Sequence, residues 1–448
     1  MAQDSPFPPT PLERLATAIA SAEAELPFVQ LSGTVREVSP SHYRVRGLSS
    51  LVKLGDRLRI DNGEVSSLGE VVRVGETDAT VKPFEARFPV GTGMMARLVG
   101  PMRLAPTAAW KGRVINALGE PLDELGPLKP GAQPVLVDAP PPPAMTRRRI
   151  NQPLKTGVRV IDLFTPLCRG QRVGIFAGSG VGKSTVLSMI ARSADFDSVV
   201  VALVGERGRE VREFLEGPFA ENRKRAVTVI STGDESPMMR RLALASATSI
   251  AEHFRDAGDS VLLIVDSVTR YAHAARDVAL AAGEPAVARG YTPSVFSDLP
   301  KMLERAGPGA EGAGTITGIF SVLVDGDDHN DPVADSIRGT LDGHIVLDRA
   351  IADQGRYPAV NVLASISRVA DVVWSADLRQ LVRTLKNLVA RFEDTRDLRL
   401  MGGYHPGNDA ELDRAVAMVP RIYDALRQDP YAKPSADVFA ELAQVLRP

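Results

Sequence analysis

Residues 172–185 read RVGIFAGSGVGKST. Val173-Gly174-Ile175-Phe176 is a short apolar run of the kind a buried strand carries, and Lys183 to Arg192 reads as a helix. Between them lies Ala177-Gly178-Ser179-Gly180-Val181-Gly182-Lys183-Ser184-Thr185. A strand, a glycine-rich loop and a helix in that order are the context a phosphate loop requires. Gly178, Gly180 and Gly182 let backbone N–H groups turn inward around phosphate oxygens, and the helix start adds its partial positive charge. Lys183 has the reach for the β- and γ-phosphates, and the Ser184 hydroxyl is a ligand for Mg2+. The strict pattern starts with glycine where Ala177 stands here; a small residue suffices at that point. The stretch implies an ATP-hydrolysing site.

Three later stretches are expected to complete it. Val199 to Val204 is an apolar strand that runs into Gly205-Glu206-Arg207-Gly208-Arg209-Glu210. In a βαβ unit the strands are parallel, so its carboxyl end shares the sheet edge where ligands of open α/β sheets bind. Glu206 is the candidate to orient the attacking water. Arg207 is the candidate to orient Glu206 or to contact the nucleotide. An ordinary charged loop after a strand would look the same. Val261 to Val265 ends in Asp266, the strand-end carboxylate expected to hold the hydration shell of Mg2+. Val360 to Ile366 is read as a fourth strand on the same rim. It leads to Arg368, a candidate for neutralising charge on the γ-phosphoryl group, although from spacing alone a structural ion pair is the better account. The acidic loop of Asp325, Asp327 and Asp328 is a weaker metal candidate.

Working outward, apolar strands alternate with helical stretches over residues 99–373, the pattern of a parallel sheet covered on both faces. Residues 28–98 change texture. Short Val/Leu/Ile segments broken by glycines read there as a small β-barrel or sandwich. Phe28, Tyr43, Phe84 and Phe88 do not cluster with basic residues, which disfavours a nucleic-acid platform. Residues 374–448 keep helical spacing, as in Leu378, Leu381, Val382, Leu385, Leu388 and Val389. In residues 1–27, Thr10, Pro11 and Glu13 form a capping box, and Leu12, Leu15, Ala16 and Ile19 make one apolar stripe. A helix that short needs a surface to pack on, either within its own domain or on another protein.

The 448 residues carry a formal net charge of −2 and one cysteine. The charge gives no global attraction to nucleic acid or anionic lipid. The lone Cys168 fits a reducing compartment and reads as a small buried residue. No basic segment precedes an apolar run at the start, so no secretory signal is expected. Arg147, Arg148 and Arg149 read as a solvated or ion-paired face.

Residues 147–185, GERGREVREF (205–214), VLLIVDSVTRYA (261–272), YTPSVFSDLPKMLERAG (291–307), DPVADSIRGTLDGHIVLDR (331–349) and YPAVNVLASISRV (357–369) resemble the type III export ATPases, relatives of the rotary ATP synthase catalytic subunit. The flagellar branch is the closer likeness. The resemblance implies an α/β fold with a RecA-like P-loop NTPase core, an N-terminal β-barrel and a C-terminal helical domain. It implies a homohexamer with sites between subunits. Glu206 would be its catalytic carboxylate, Arg368 a finger onto the neighbour's nucleotide, and Tyr357 the aromatic beside adenine. It further implies a regulatory stator-like protein on the N-terminal helix, with the export gate and substrate–chaperone complexes as other partners. The location implied is cytoplasmic, at the inner face of the membrane, by peripheral association. A virulence secretion ATPase and a Rho-like RNA-translocating hexamer are the alternatives. The acidic motif that meets the central shaft in ATP synthases has no clear counterpart, which argues against gradient-driven synthesis.

Overall fold

The computed structural model describes residues 11, 12, 15, 29–61, 63, 66–324 and 331–446. Of the predicted N-terminal stripe only Leu12 and Leu15 fall among the described residues, and the acidic loop of 325–330 lies outside them. The described residues form two compact units. One holds those up to Pro83 together with Arg87–Gly100; the other holds Phe84–Ala86 and everything from Pro101 onward.

The first unit is a closed six-stranded barrel. Its strands are β1 (Ser32–Val38), β2 (Tyr43–Arg46), β3 (Asp56–Asp61), β4 (Ser66–Val74), β5 (Asp78–Pro83) and β6 (Met95–Pro101), in the order β1-β2-β5-β4-β3-β6. Inward residues alternate with outward ones, as closure of a pleated sheet demands. Val35, Tyr43, Val45, Leu58, Ile60, Val71 and Val81 fill the interior. Tyr43 is fully buried and Phe88 packs against this core. The Tyr43 ring thus serves the barrel interior and offers no face for stacking bases.

The second unit is built on a nine-stranded sheet. Its main strands are β7 (Val114–Asn116), β8 (Arg172–Ala177), β9 (Ser198–Glu206), β10 (Ala226–Thr232), β11 (Ser260–Asp266), β12 (Thr315–Leu323), β13 (Gly343–Leu347) and β14 (Ile366–Ser367), in the order β14-β13-β8-β12-β11-β9-β10-β7. All neighbouring pairs are parallel except β13 with β14. Central strands are buried on both faces, so they read as continuous apolar runs; every residue of β9 is buried. From β8 the chain crosses two strands before it forms β9. That jump opens the crevice at the carboxyl edge.

The main helices are α1 (Lys183–Ala191), α2 (Gly208–Glu216), α3 (Pro237–Asp256), α4 (Val268–Ala281), α5 (Pro293–Glu304), α6 (Pro332–Thr340), α7 (Arg349–Asp353), α8 (Ala376–Asp394), α9 (Arg396–Leu400), α10 (Ala410–Leu426) and α11 (Val438–Leu446). Val382, Leu385 and Val389 of α8, with Ala415, Val419 and Ile422 of α10, share one continuous core with the sheet residues. Cys168 is fully buried, and desolvation raises its thiol pKa to about 11, which suits a packing role. Arg147 pairs with Glu304 and Arg148 donates to the Gly314 carbonyl at 3.0 Å, so these two arginines are bound into the structure, while Arg149 is exposed.

One expected strand is absent. Of Val360 to Ile366, only Ile366 belongs to a strand, the two-residue β14. The Asn361 Oδ1 accepts from Leu363 N at 3.1 Å and Ala364 N at 3.0 Å. That side chain satisfies the backbone locally and turns the chain, so an apolar run alone did not make a strand.

A buried ion pair ties α3 to the end of α5. Arg305 donates to Glu252 at 3.1 and 2.6 Å and to the Val137 carbonyl at 2.8 Å. Its side chain is 1% exposed. Removing one member leaves the other charge buried without compensation. Glu252→Ala should therefore lower the unfolding free energy of this unit by about 3–5 kcal/mol, read from the urea midpoint. Parental stability would mean that the pair contributes nothing net.

Candidate active site

The carboxyl ends of β8, β9 and β11 lie on one rim of the sheet. Residues 178–180 and 182–185 line a cavity there of about 650 Å³, together with Glu206, Arg207, Phe214, Asp266 and Arg270. That is room for a nucleotide. Helix α1 has no side-chain cap at its start. Its first N–H groups are left for a ligand, and they carry the positive end of the helix dipole. Ser184 is exposed within this cavity.

Asp266 is the charged centre. It is 4% exposed, and its Oδ1 accepts from Lys183 Nζ and from Ser321 Oγ, the latter at 2.7 Å. Three strands thus converge on one carboxylate. Register places Asp266 opposite Leu203, so Glu206 extends beyond it toward the crevice.

Glu206 is 9% exposed. Its Oε1 lies 3.3 Å from Arg270 Nε, out of hydrogen-bond alignment, and that oxygen has no hydrogen-bond partner. A buried carboxylate oxygen without a hydrogen-bond partner is an acceptor still to be satisfied. Burial, and then the nearby Asp266 charge, push the Glu206 carboxyl up to about 7; Lys183 and Arg270 oppose the rise.

Arg270 was not among the residues expected from sequence. It lies on α4, whose N-cap Ser267 directly follows Asp266. Its approach explains Gly205, which has φ +69°. A Cβ at 205 would stand 2.9 Å from Arg270 Cδ, so glycine is needed for both the backbone angle and the space. The spacing of VDSVTR, a strand-end Asp with an arginine one helical turn on, was the available signal. Ser321 left none.

Arg207 does not orient Glu206. Its side chain is 81% exposed at the cavity wall and pairs with Glu210 at 3.4 Å. As N-cap of α2 it leaves the strand with its side chain turned to solvent.

Tyr357 is brought in. A Cβ on Gly182 would lie 3.9 Å from its ring, and the ring is half-exposed. Arg368 is not brought in. Strand β14 runs antiparallel to β13 with Ser367 opposite Gly343, and the Arg368 N–H donates to the Asp342 carbonyl at 3.0 Å. That is the rim where β8 begins, a strand length from its own phosphate loop, or about 20 Å. The expectation of four segments on one rim is corrected to three.

A phosphate loop, a strand-end Asp and a buried Glu on one rim of this sheet define a P-loop nucleotide hydrolase. Residues 157–367 match the ATP synthase alpha/beta family, nucleotide-binding domain, and residues 374–444 match the T3SS EscN ATPase C-terminal domain. The "Flagellum-specific ATP synthase" of Rhizobium meliloti (strain 1021) is 59% identical over 93% of this chain and 89% of its own. The "SPI-2 type 3 secretion system ATPase" of Salmonella typhimurium is 46% identical over 84% of this chain and 86% of its own. The assembled ATPase EscN of the enteropathogenic E. coli type III secretion system superposes with a TM-score of 0.86 at 38% identity, over 93% of this chain and all of that one. The chain belongs to the flagellum-specific and type III secretion ATPase family and is an ATPase.

Protonation of Glu206 sets an expected pH dependence. With the ionised form taken as the one that orients water, turnover is expected to rise as pH increases through about 7. Arg270→Ala removes a charge that holds this pKa down, so the limb should move to higher pH. Phosphate release measured from about pH 5.5 to 9 tests this; an unmoved limb would separate Arg270 from Glu206.

Proposed function

We propose that this chain is the Mg2+-dependent ATPase of a bacterial flagellar export apparatus, coupling hydrolysis to release, unfolding and entry of export substrates. The observation that carries hydrolysis is the buried carboxyl of Glu206 in the lining of a cavity that also holds Lys183 and Asp266. Two relatives with "Flagellum-specific" names, at 59% and 58% identity, favour flagellar export over the virulence reading, supported by the 46% and 42% relatives.

The residues present suit Mg2+. Ser184 and Asp266 offer hard oxygen donors, and no cluster of three or more His, Cys, Asp or Glu side chains exists among the described residues. An ion that draws most ligands from water and phosphate is what such a site takes. When bound, it would neutralise phosphate charge. Lys183 grips the β- and γ-phosphates, leaving its bond to Asp266 as they arrive. Glu206 Oε1 accepts from the attacking water and holds it in line. Tyr357 flanks the base.

Arg368 acts on a neighbouring copy. Each site then takes its loop from one copy and its Arg368 from the next, so a closed homohexamer of this one kind of chain makes six equivalent sites. A regulatory stator-like protein on the N-terminal segment, the export gate and substrate–chaperone complexes are the proposed partners. No helix among the described residues is long and apolar enough to cross a membrane; we place the protein in the cytoplasm, peripheral to the inner membrane face. RNA is not a proposed ligand.

Lys183→Ala and Arg368→Ala should each abolish turnover, with ATP binding retained in the second. Mixed in equal amounts, the two inactive proteins should regain activity, because about a quarter of random subunit junctions pair an intact loop with an intact Arg368. Mixtures that stay inactive would count against shared sites. A strain carrying Lys183→Ala should lose swimming; normal motility would overturn the flagellar role.

A further inference from the structure

The phosphate loop is gripped from outside by a residue that no sequence pattern singled out. Arg349, the first residue of α7, donates from Nη2 to the carbonyl oxygen of Ser179 at 2.7 Å. We propose that Arg349 is a positioning residue that holds this carbonyl outward and thereby aims the Gly180 N–H into the phosphate cradle. The inference rests on residues 177–185 being the triphosphate site.

The reason lies in peptide geometry. The C=O of Ser179 and the N–H of Gly180 belong to one planar trans unit and point in opposite directions. Gly180 has φ +79° and no Cβ, so rotation of that unit meets little steric resistance. Turned the wrong way, the loop presents a carbonyl oxygen to the anion and repels it. A guanidinium is always charged and makes a charge-assisted bond to the carbonyl. It stabilises the arrangement that binds phosphate.

Arg349 is itself held in place. Asp348 Oδ1 accepts from Ala350 N at 2.8 Å and Oδ2 from Asn361 Nδ2 at 3.0 Å, while Asp348 N donates to the Ala359 carbonyl at 2.9 Å. The same clasped segment carries Tyr357. Residues 348–361 therefore bond the loop at Ser179 and approach it again beside Gly182. From behind, Gln428 N donates to the Tyr357 carbonyl at 3.0 Å and Arg427 Nη2 to the Gly355 carbonyl at 3.1 Å, so the end of α10 braces the segment.

The Arg349 bond is solvent-exposed, so its effect is modest. Arg349→Ala should raise the KM for ATP and the dissociation constant for ADP by the same factor, about three- to tenfold. The kcat should change less than about twofold, the mark of an interaction common to ground and transition states. The melting temperature should not move, and Arg349→Lys, which keeps a donor, should recover most of the affinity. An unchanged KM, a fall in kcat with KM intact, a KM rise that tracks a lower melting temperature, or no recovery with lysine would each overturn the role. Lys183→Ala is assayed alongside. If it retains full turnover, the reading of the loop itself fails. If it is inactive while Arg349→Ala equals the parent, only the positioning role falls.

Discussion

A carboxylate taken out of water must be compensated, and Asp266 is compensated by groups from two other strands. Its Oδ1 receives both Lys183, from the loop after β8, and Ser321, from β12. Burial of an uncompensated ion would cost several kcal/mol. The sheet must therefore keep these strands in a register that brings a loop lysine, a mid-strand hydroxyl and a strand-end acid to one point. Parallel pairing does this, because all three strands deliver their carboxyl ends in the same direction.

Once that rim exists, the other groups follow from it. Helix α4 starts immediately after Asp266, and Arg270 is fixed by its first turn. Gly205 leaves room for that arginine, and Glu206 is left beside it with one oxygen free. Burial and negative charge then work on Glu206 together, and its proton affinity climbs toward neutrality. The carboxylate is thus a stronger acceptor than an exposed glutamate, which is what the proposed polarisation of a water asks of it.

Much of this was legible beforehand. Strands β8, β9 and β11 are uninterrupted apolar runs with glycine or a charge at their ends, and period and punctuation suffice to find them. Lys183, Glu206 and Asp266 sit at those ends, so their convergence follows from topology. What escaped was what depends on side chains meeting across sequence distance. Arg207 was the arginine expected beside Glu206, and only packing against Gly205 shows that Arg270 takes that place. The stretch 360–366 looked like a strand because its apolar residues said so, yet a single asparagine side chain captured the backbone first. Arg349 carries no pattern at all; its contact is made 170 residues away.

The separation of Arg368 from its own phosphate loop has a consequence for dosage. On the proposed reading, a solitary subunit carries a donor half and an acceptor half that cannot meet, so it is silent however much fuel surrounds it. Specific activity would then climb with protein concentration, and the enzyme would idle wherever it is dilute. Gathering copies at one place would switch it on without a dedicated inhibitor, and scattered copies would waste nothing.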